Sequence, residues 1–127
     1  MLPFLSPDWL RALDTALRSD RDLGARFAAS PIAIAQEVDD IAVRYVIVLD
    51  AAGGRVDTET RDRPADVTFV CDRSTAARLA QGTLNAQRAL TSGRLKLRGD
   101  VDRLAAASNA LADLGDLLAG LRADTEF

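Results

Sequence analysis

Histidine is absent from the 127 residues of this chain. Its absence removes the commonest general base, every Ser–His or Cys–His nucleophile pair and every His-ligated metal site. A single cysteine, Cys71, excludes an internal disulfide and a multi-cysteine zinc site. Chelation with EDTA is therefore expected to change neither the melting temperature nor ligand binding. A clear fall in the melt on chelation would reveal a carboxylate metal site. The longest stretch without Asp, Glu, Lys or Arg runs from Phe27 to Gln36, ten residues against the ~20 that span a bilayer. Met1 to Phe4 carry neither a basic segment nor a long apolar one, so no signal peptide is expected. With the lone cysteine, this points to the reducing cytoplasm. Excess positive charge is also lacking: the net charge is −3 and the pI about 4.9, which argues against a nucleic-acid binder. Lysine occurs once, as Lys96. The preference for arginine, with abundant Ala and Asp, reflects a GC-rich coding sequence and says nothing of mechanism.

What is present is ordinary globular material. Apolar residues make up 48% and charged residues 28%, which excludes a largely disordered chain. The length suits one domain over residues 1–127, large enough to fold without disulfide or metal. No internal repeat, low-complexity segment or dividing linker is found.

Ser6-Pro7-Asp8 reads as a helix start, with Trp9, Leu10, Leu13, Ala16 and Leu17 at helical spacing and an end near Asp20. The chain from Arg21 to Pro31 reads as irregular at its end, because Ser30 precedes a proline. Ile32, Ile34 and Val38 share one face of a strand, and Asp39-Asp40 a turn. A long strand from Ile41 to Leu49 has Val43, Tyr45 and Ile47 on one face and Val46 and Val48 on the other. That pattern predicts a central strand covered on both sides. Gly53-Gly54 reads as the next hinge, and Arg55 to Thr60 as an exposed edge strand, completing an antiparallel meander. Asp66 to Cys71 is a fourth strand. Asp72 caps a helix over 73–81 stopped by Gly82, and a short helix over 85–91 ends at Gly93. Arg94 to Gly99 is a fifth strand. From Gly99-Asp100 a helix carries Val101, Leu104, Ala105, Ser108, Leu111 and Ala112 on one stripe. Leu114, Leu117, Leu118 and Leu121 continue to the C-terminus after a break near Gly115. The expected fold class is α+β, a single five-stranded, mostly antiparallel sheet covered by helices.

The segment Pro64 to Asp100 carries a resemblance. Its pieces are Pro64-Ala65-Asp66-Val67-Thr68, Leu79-Ala80-Gln81-Gly82, Leu84-Asn85-Ala86-Gln87, Ala89-Leu90 and the run Ser92 to Asp100. These resemble the sterol carrier protein 2 (SCP2) family, and the order of elements agrees from about Leu23 to Leu118. The last block is the most specific, yet each of its jobs is structural: Gly93 closes a helix, Leu95 and Leu97 point inward, and Asp100 caps the next helix. The resemblance implies an apolar cavity between sheet and helices that binds sterol, fatty acid, acyl-CoA or prenyl lipid with loose selectivity. Some bacterial relatives assist quinone biosynthesis. Two departures stand beside the cavity, Ala86 where several members have proline and Leu90 where they have an aromatic residue. The acidic charge and the ending Thr125-Glu126-Phe127 also depart from the basic carriers of peroxisomes.

The residues admit bland readings beside sharp ones. Ala76, Ala77 and Ala80, with Ala105, Ala106, Ala107 and Ala110, leave room for a lipid or simply allow close helix–sheet packing. The C-terminal leucine stripe reads as core, as a lid or as a homodimer interface. Arg88, Arg94, Lys96, Arg98 and Arg103 read as a solvated sheet face before an anion site, and Cys71 as a buried structural thiol. Asp39-Asp40 shows no third ligand, and Gly53-Gly54 lacks the setting of a phosphate loop.

The resulting expectation is a non-catalytic lipid carrier needing no cofactor. Its ligand is a small apolar lipid, and it makes no nucleic-acid contact and no stable membrane insertion. The candidate cavity lining is Ile34, Val43, Tyr45, Ile47 and Phe69 from strands, and Leu79, Leu84, Leu90, Leu104, Leu111, Leu114 and Leu118 from helices. The alternative is an accessory interaction module for a lipid- or quinone-metabolising partner enzyme, with no bound lipid.

Overall fold

The computed structural model describes residues 1–58, 64–112 and 114–127, the side chains of 112 and 114–118 excepted. The first strand, β1 (Leu2–Pro3), leads into helix α1 (Pro7–Ser19), where the Ser6 side chain accepts a hydrogen bond from Trp9 N at 3.2 Å. The spacing of Trp9, Leu10, Leu13 and Leu17 buries one face of α1. A five-residue helix, α2 (Leu23–Phe27), precedes the end of the Arg21 to Pro31 stretch that was read as irregular. Leu23 and Phe27 lie four apart on one face, and both are wholly buried.

Strands β2 (Ile32–Val38), β3 (Val43–Asp50) and β4 (Gly53–Asp57) form the expected meander. After them come β5 (Val67–Cys71), α3 (Arg73–Gln81), α4 (Ala86–Thr91) and β6 (Lys96–Gly99). The five strands β2 to β6 lie in the order β4-β3-β2-β5-β6. β2 and β5 run parallel and the other three pairs antiparallel, so the fold is α+β with a mostly antiparallel sheet. The middle strand is β2, not the segment read as central. β3 lies one place further out because β5 returns to the free side of β2. β3 also starts later than expected: Ile41 is 41% exposed and Ala42 turns the chain with φ 53°.

The β3–β4 turn is Ala51-Ala52, and Gly53-Gly54 belongs to β4. Packing explains the second glycine. A Cβ at Gly54 would stand 2.9 Å from Leu23 Cδ1 and 3.2 Å from both Leu17 Cβ and Leu49 Cδ2, so the bare backbone lets α1 and α2 close onto the sheet. The segment read as an edge strand to Thr60 is described only to Thr58, and residues 59–63 lie outside the described residues.

One face of the sheet meets the helices in a core that includes Ile32, Val38, Leu49, Val67 and Cys71. The other face buries Ala35, Val46 and Val48, with Ala33 and Ala65 packed beside them. The apolar second face of β3 is thus accounted for: a strand buried on both sides loses its alternation.

The C-terminal third forms α5 (Val101–Ala106), α6 (Ser108–Ala112) and α7 (Leu114–Ala123), then β7 (Thr125–Glu126). The expected helix divides at the wholly buried Ala107, and Val101, at the start of α5, is 56% exposed. Alanine-rich sequence favours helix all along this stretch, so core packing sets where it divides. α7 runs through Gly115, where a break was expected. The terminal strands β1 and β7 pair in parallel as a separate two-stranded sheet.

Candidate functional site

Between the inner sheet face and helices α1, α3 and α7 lies a cleft of about 290 Å³. Gln36 of β2 with Tyr45 and Ile47 of β3 form its floor. Trp9 and Leu13 come from α1, and Ala76, Leu79 and Ala80 from α3. Leu121 and Arg122 of α7, with Phe4, Thr125 and Phe127 near the termini, complete the wall. Helical spacing explains the pairs: Trp9/Leu13 and Ala76/Ala80 are each four apart, so each pair shares a face.

The terminal wall is held by polar and aromatic contacts. Trp9 Nε1 donates to Thr125 Oγ1 at 3.0 Å, and that hydroxyl donates to Leu121 O at 2.5 Å. Phe4 packs edge-on to Trp9 and tilted against Phe127, with 5.0 Å between ring centres in both pairs. Arg73 donates to Phe127 O at 2.8 Å and lies 5.7 Å from the Phe4 ring centre. Arg122 Nε donates to Ala80 O at 2.7 Å and ties α7 to α3 beside the cleft.

Of the twelve lining candidates, Tyr45, Ile47 and Leu79 line this cleft. Ile34, Val43, Phe69, Leu84, Leu104 and Leu111 are partly buried and pack against the same core without reaching it. Leu90 is 36% exposed. Leu114 and Leu118 lie on α7, and their side chains lie outside the described residues. The wall also contains residues that were read otherwise. Trp9 and Leu13 were legible as an apolar helix stripe, and Ala76 and Ala80 as a pair of small residues. Nothing in the local pattern tied Phe4 or Phe127 to a site.

Lys96 and Arg98 lie opposite Val70 and Thr68 in the sheet register, on the face away from the cleft. Arg88, Arg94, Lys96 and Arg98 are exposed, and Arg103 faces Asp66 at 3.7 Å and Asp100 at 3.9 Å. Lys96 and Arg98 are thus solvated at the β6 edge of a face whose middle, at Ala35, Val46 and Val48, is buried.

Burial holds the Tyr45 hydroxyl protonated well above its ordinary range, and nearby Cys71 adds to the shift. Burial likewise pushes the Cys71 thiol up to about 11, helped by Asp72 and Asp39 and opposed by the Gln36 hydrogen bond. Below pH ~9 the thiol is protonated whether the chain is folded or not. Above it the unfolded chain releases the proton and the fold keeps it until about 11, so stability is lost as pH rises through that window. Urea unfolding from pH 8 to 11 should show a slope up to ~1.4 kcal/mol per pH unit steeper than in Cys71→Ala. Equal slopes would place the thiol in contact with water.

A five-stranded, mostly antiparallel sheet packed by helices, with an apolar cleft between them, defines an α+β domain. The SCP-2 sterol transfer family model matches residues 13–112, and the chain belongs to that family. Solved structures agree in fold. Sterol carrier protein 2 is 22% identical with a TM-score of 0.62, over 94% of this chain and 97% of that one. The ubiquinone synthesis protein UbiJ-SCP2 is 21% identical with a TM-score of 0.59, over 86% and 96%. The sec-alkylsulfatase Pisa1 from Pseudomonas sp. is 20% identical with a TM-score of 0.59 over 80% of this chain, which spans only 16% of that enzyme. No curated protein matches the sequence. Among the described residues no helix is long and apolar enough to cross a membrane.

Proposed function

We propose that this protein holds and transfers a small apolar lipid in the cleft between the sheet and α1, α3 and α7, in the cytoplasm and without chemistry on the ligand. The observation that carries this reading is the cleft wall, built from Phe4, Trp9, Leu13, Ile47, Ala76, Leu79, Ala80, Leu121 and Phe127 around few polar groups. An apolar tail entering it leaves water, at about 25 cal/mol per Å² of apolar surface removed, so a lipid chain gains several kcal/mol without any directed contact. The driving force is insensitive to tail identity, which accounts for loose selectivity.

The volume of about 290 Å³ sits at the lower edge of the ~300–1,000 Å³ range of small-molecule sites. A long chain needs more, and the packed neighbours Ile34, Phe69, Leu104 and Leu111 are where the cleft would extend. α7 is the element to yield, since its bond from Arg122 to Ala80 O is a surface contact. The polar wall supports a carrier over an enzyme: Tyr45 is held neutral, and Thr125 is committed to Trp9 and Leu121.

Native mass spectrometry of the purified protein tests the reading. A mass addition of lipid size that disappears after organic extraction is the expected result. No adduct, together with no uptake of the neutral apolar dye N-phenyl-1-naphthylamine at micromolar concentration, would sink it in favour of an accessory module for a partner enzyme.

A further inference from the structure

The two edges of the five-stranded sheet are finished differently. At the β4 edge, Val56 N points away from β3 and donates to the Asp14 carboxylate of α1 at 2.7 Å, so the helix takes up an outward backbone group. The β6 edge has no such cover among the described residues. Hydrogen bonds at the two ends of β5 fix which way each residue faces. Cys71 O accepts from Asp39 N at 3.0 Å on the β2 side, and Asp66 O accepts from Asp100 N at 2.8 Å on the β6 side. Alternation in the antiparallel register then pairs Arg98 with Thr68 and Lys96 with Val70 through hydrogen bonds, and turns the N–H and C=O of Leu97 outward. Leu95 N faces the same way and is taken by Ala89 O of α4 at 3.0 Å. Among the described residues nothing takes the Leu97 groups. An open edge of this kind accepts an added strand.

The side chains select what that strand must carry. Lys96 and Arg98 share the outer sheet face, both are exposed, and among the described residues neither is ion-paired. The acids around them are committed elsewhere: Asp66 and Asp100 face Arg103 at 3.7 and 3.9 Å, and Glu37 of β2 accepts from Arg44 at 3.2 Å. A second copy of β6 laid antiparallel on the first would set cation against cation, which is destabilising, whereas an acidic strand meets both with opposite charge. On the inner face half-buried Leu97 packs at the rim of the core, where the same strand would add an apolar side chain.

We propose that the β6 edge docks an acidic, extended segment of a partner protein, which joins the sheet as a sixth strand with acid–apolar–acid alternation opposite Lys96, Leu97 and Arg98. β6 contributes no residue to the described cleft wall, so this assignment stands or falls apart from the carrier reading. Fluorescence anisotropy tests it with a short, end-blocked peptide of alternating glutamate and valine, labelled with fluorescein and titrated with protein to roughly 1 mM at low ionic strength. A second peptide of the same sequence and charge carries N-methylated valines, which cannot donate to the Leu97 carbonyl. The parent peptide should bind and slow deuterium exchange at the Leu97 amide, and the N-methylated one should bind at least ~10-fold more weakly. Lys96→Glu with Arg98→Glu should weaken the parent peptide at least ~10-fold and leave the melt and the uptake of N-phenyl-1-naphthylamine unchanged. Lys96→Gln with Arg98→Gln replaces it should charge reversal lower the melt. No binding of the parent peptide, or equal binding of the two peptides, overturns the added strand. Binding of the unmodified protein to phosphatidylglycerol vesicles in place of the peptide would make the basic strip a contact for a lipid surface and overturn it as well.

Discussion

Gly99→Ala should lower the free energy of unfolding by roughly 3–5 kcal/mol, more than surface substitutions do, because two costs fall on one atom. Gly99 has φ 107°, a region that L side chains rarely adopt. A Cβ there would also collide with the carbonyl oxygen of Asp66 and stand 3.0 Å from Val67 Cα. These are backbone atoms that cannot swing aside, and they belong to a junction. Asp66 O accepts from Asp100 N at 2.8 Å, Asp66 N donates to Ala33 O at 2.9 Å, and the Asp66 carboxylate accepts from Ala33 N at 2.7 Å. Moving Asp66 therefore loosens β2, β5, β6 and the start of α5 together. Gly93→Ala is the matched control: φ is 79°, but nothing lies within 4 Å of the added carbon, so only the backbone cost of about 1–2 kcal/mol remains. Urea unfolding of both variants separates the contributions. Equal losses would show that the contact with Asp66 relaxes freely.

That junction also shows what kind of information the sequence carries. The run Ser92 to Asp100 is the most recognisable part of the chain, and in the structure it closes α4, sets the register of β6 against β5 and caps α5 through Asp100 and Arg103 N. It marks the fold and stays off the cleft wall. Helix α3 was legible residue for residue. Both of its ends are encoded locally, by Asp72 accepting from Thr75 N at 2.8 Å and by Gly82 in the left-handed conformation. α2 was not legible, since five residues hold little more than one turn and give no period. Pairing of β1 with β7 was hidden for a different reason. Two-residue strands have no alternation, and their partners lie more than 120 positions apart.

The cleft was only partly legible for the same reason. Sequence pattern identifies which side chains face inward, and Tyr45, Ile47 and Leu79 were found that way. It does not say where inward-facing side chains meet one another and where they leave space. Ile34 and Phe69 share the inner sheet face with Tyr45, yet they pack against the core. The difference is made by Ala76 and Ala80, whose small side chains stand where larger ones would fill the gap, and by terminal aromatics that close the wall.

Ala80→Phe turns that account into an experiment. Ala80 lines the cleft from α3, and its contribution to holding α7 is its carbonyl oxygen, which any side chain leaves in place. A benzyl group at this position projects into space that the proposed ligand needs, so affinity for N-phenyl-1-naphthylamine should fall at least tenfold, about 1.4 kcal/mol or more. The melting temperature should hold or rise, because the ring fills a void lined by Leu79, Leu121 and Ile47 and gains the contacts those walls now lack. Loss of binding with a preserved melt is a combination that damage to the core does not produce: Leu17→Ala, at a wholly buried position away from the cleft wall, should cost roughly 2–5 kcal/mol of stability instead. Should the phenyl ring overpack and lower the melt, Ala76→Leu probes the same face of α3, one turn earlier, with a smaller addition. If both variants keep full affinity for the dye, the ligand does not enter between α3 and the sheet, and the carrier reading must give up this cleft.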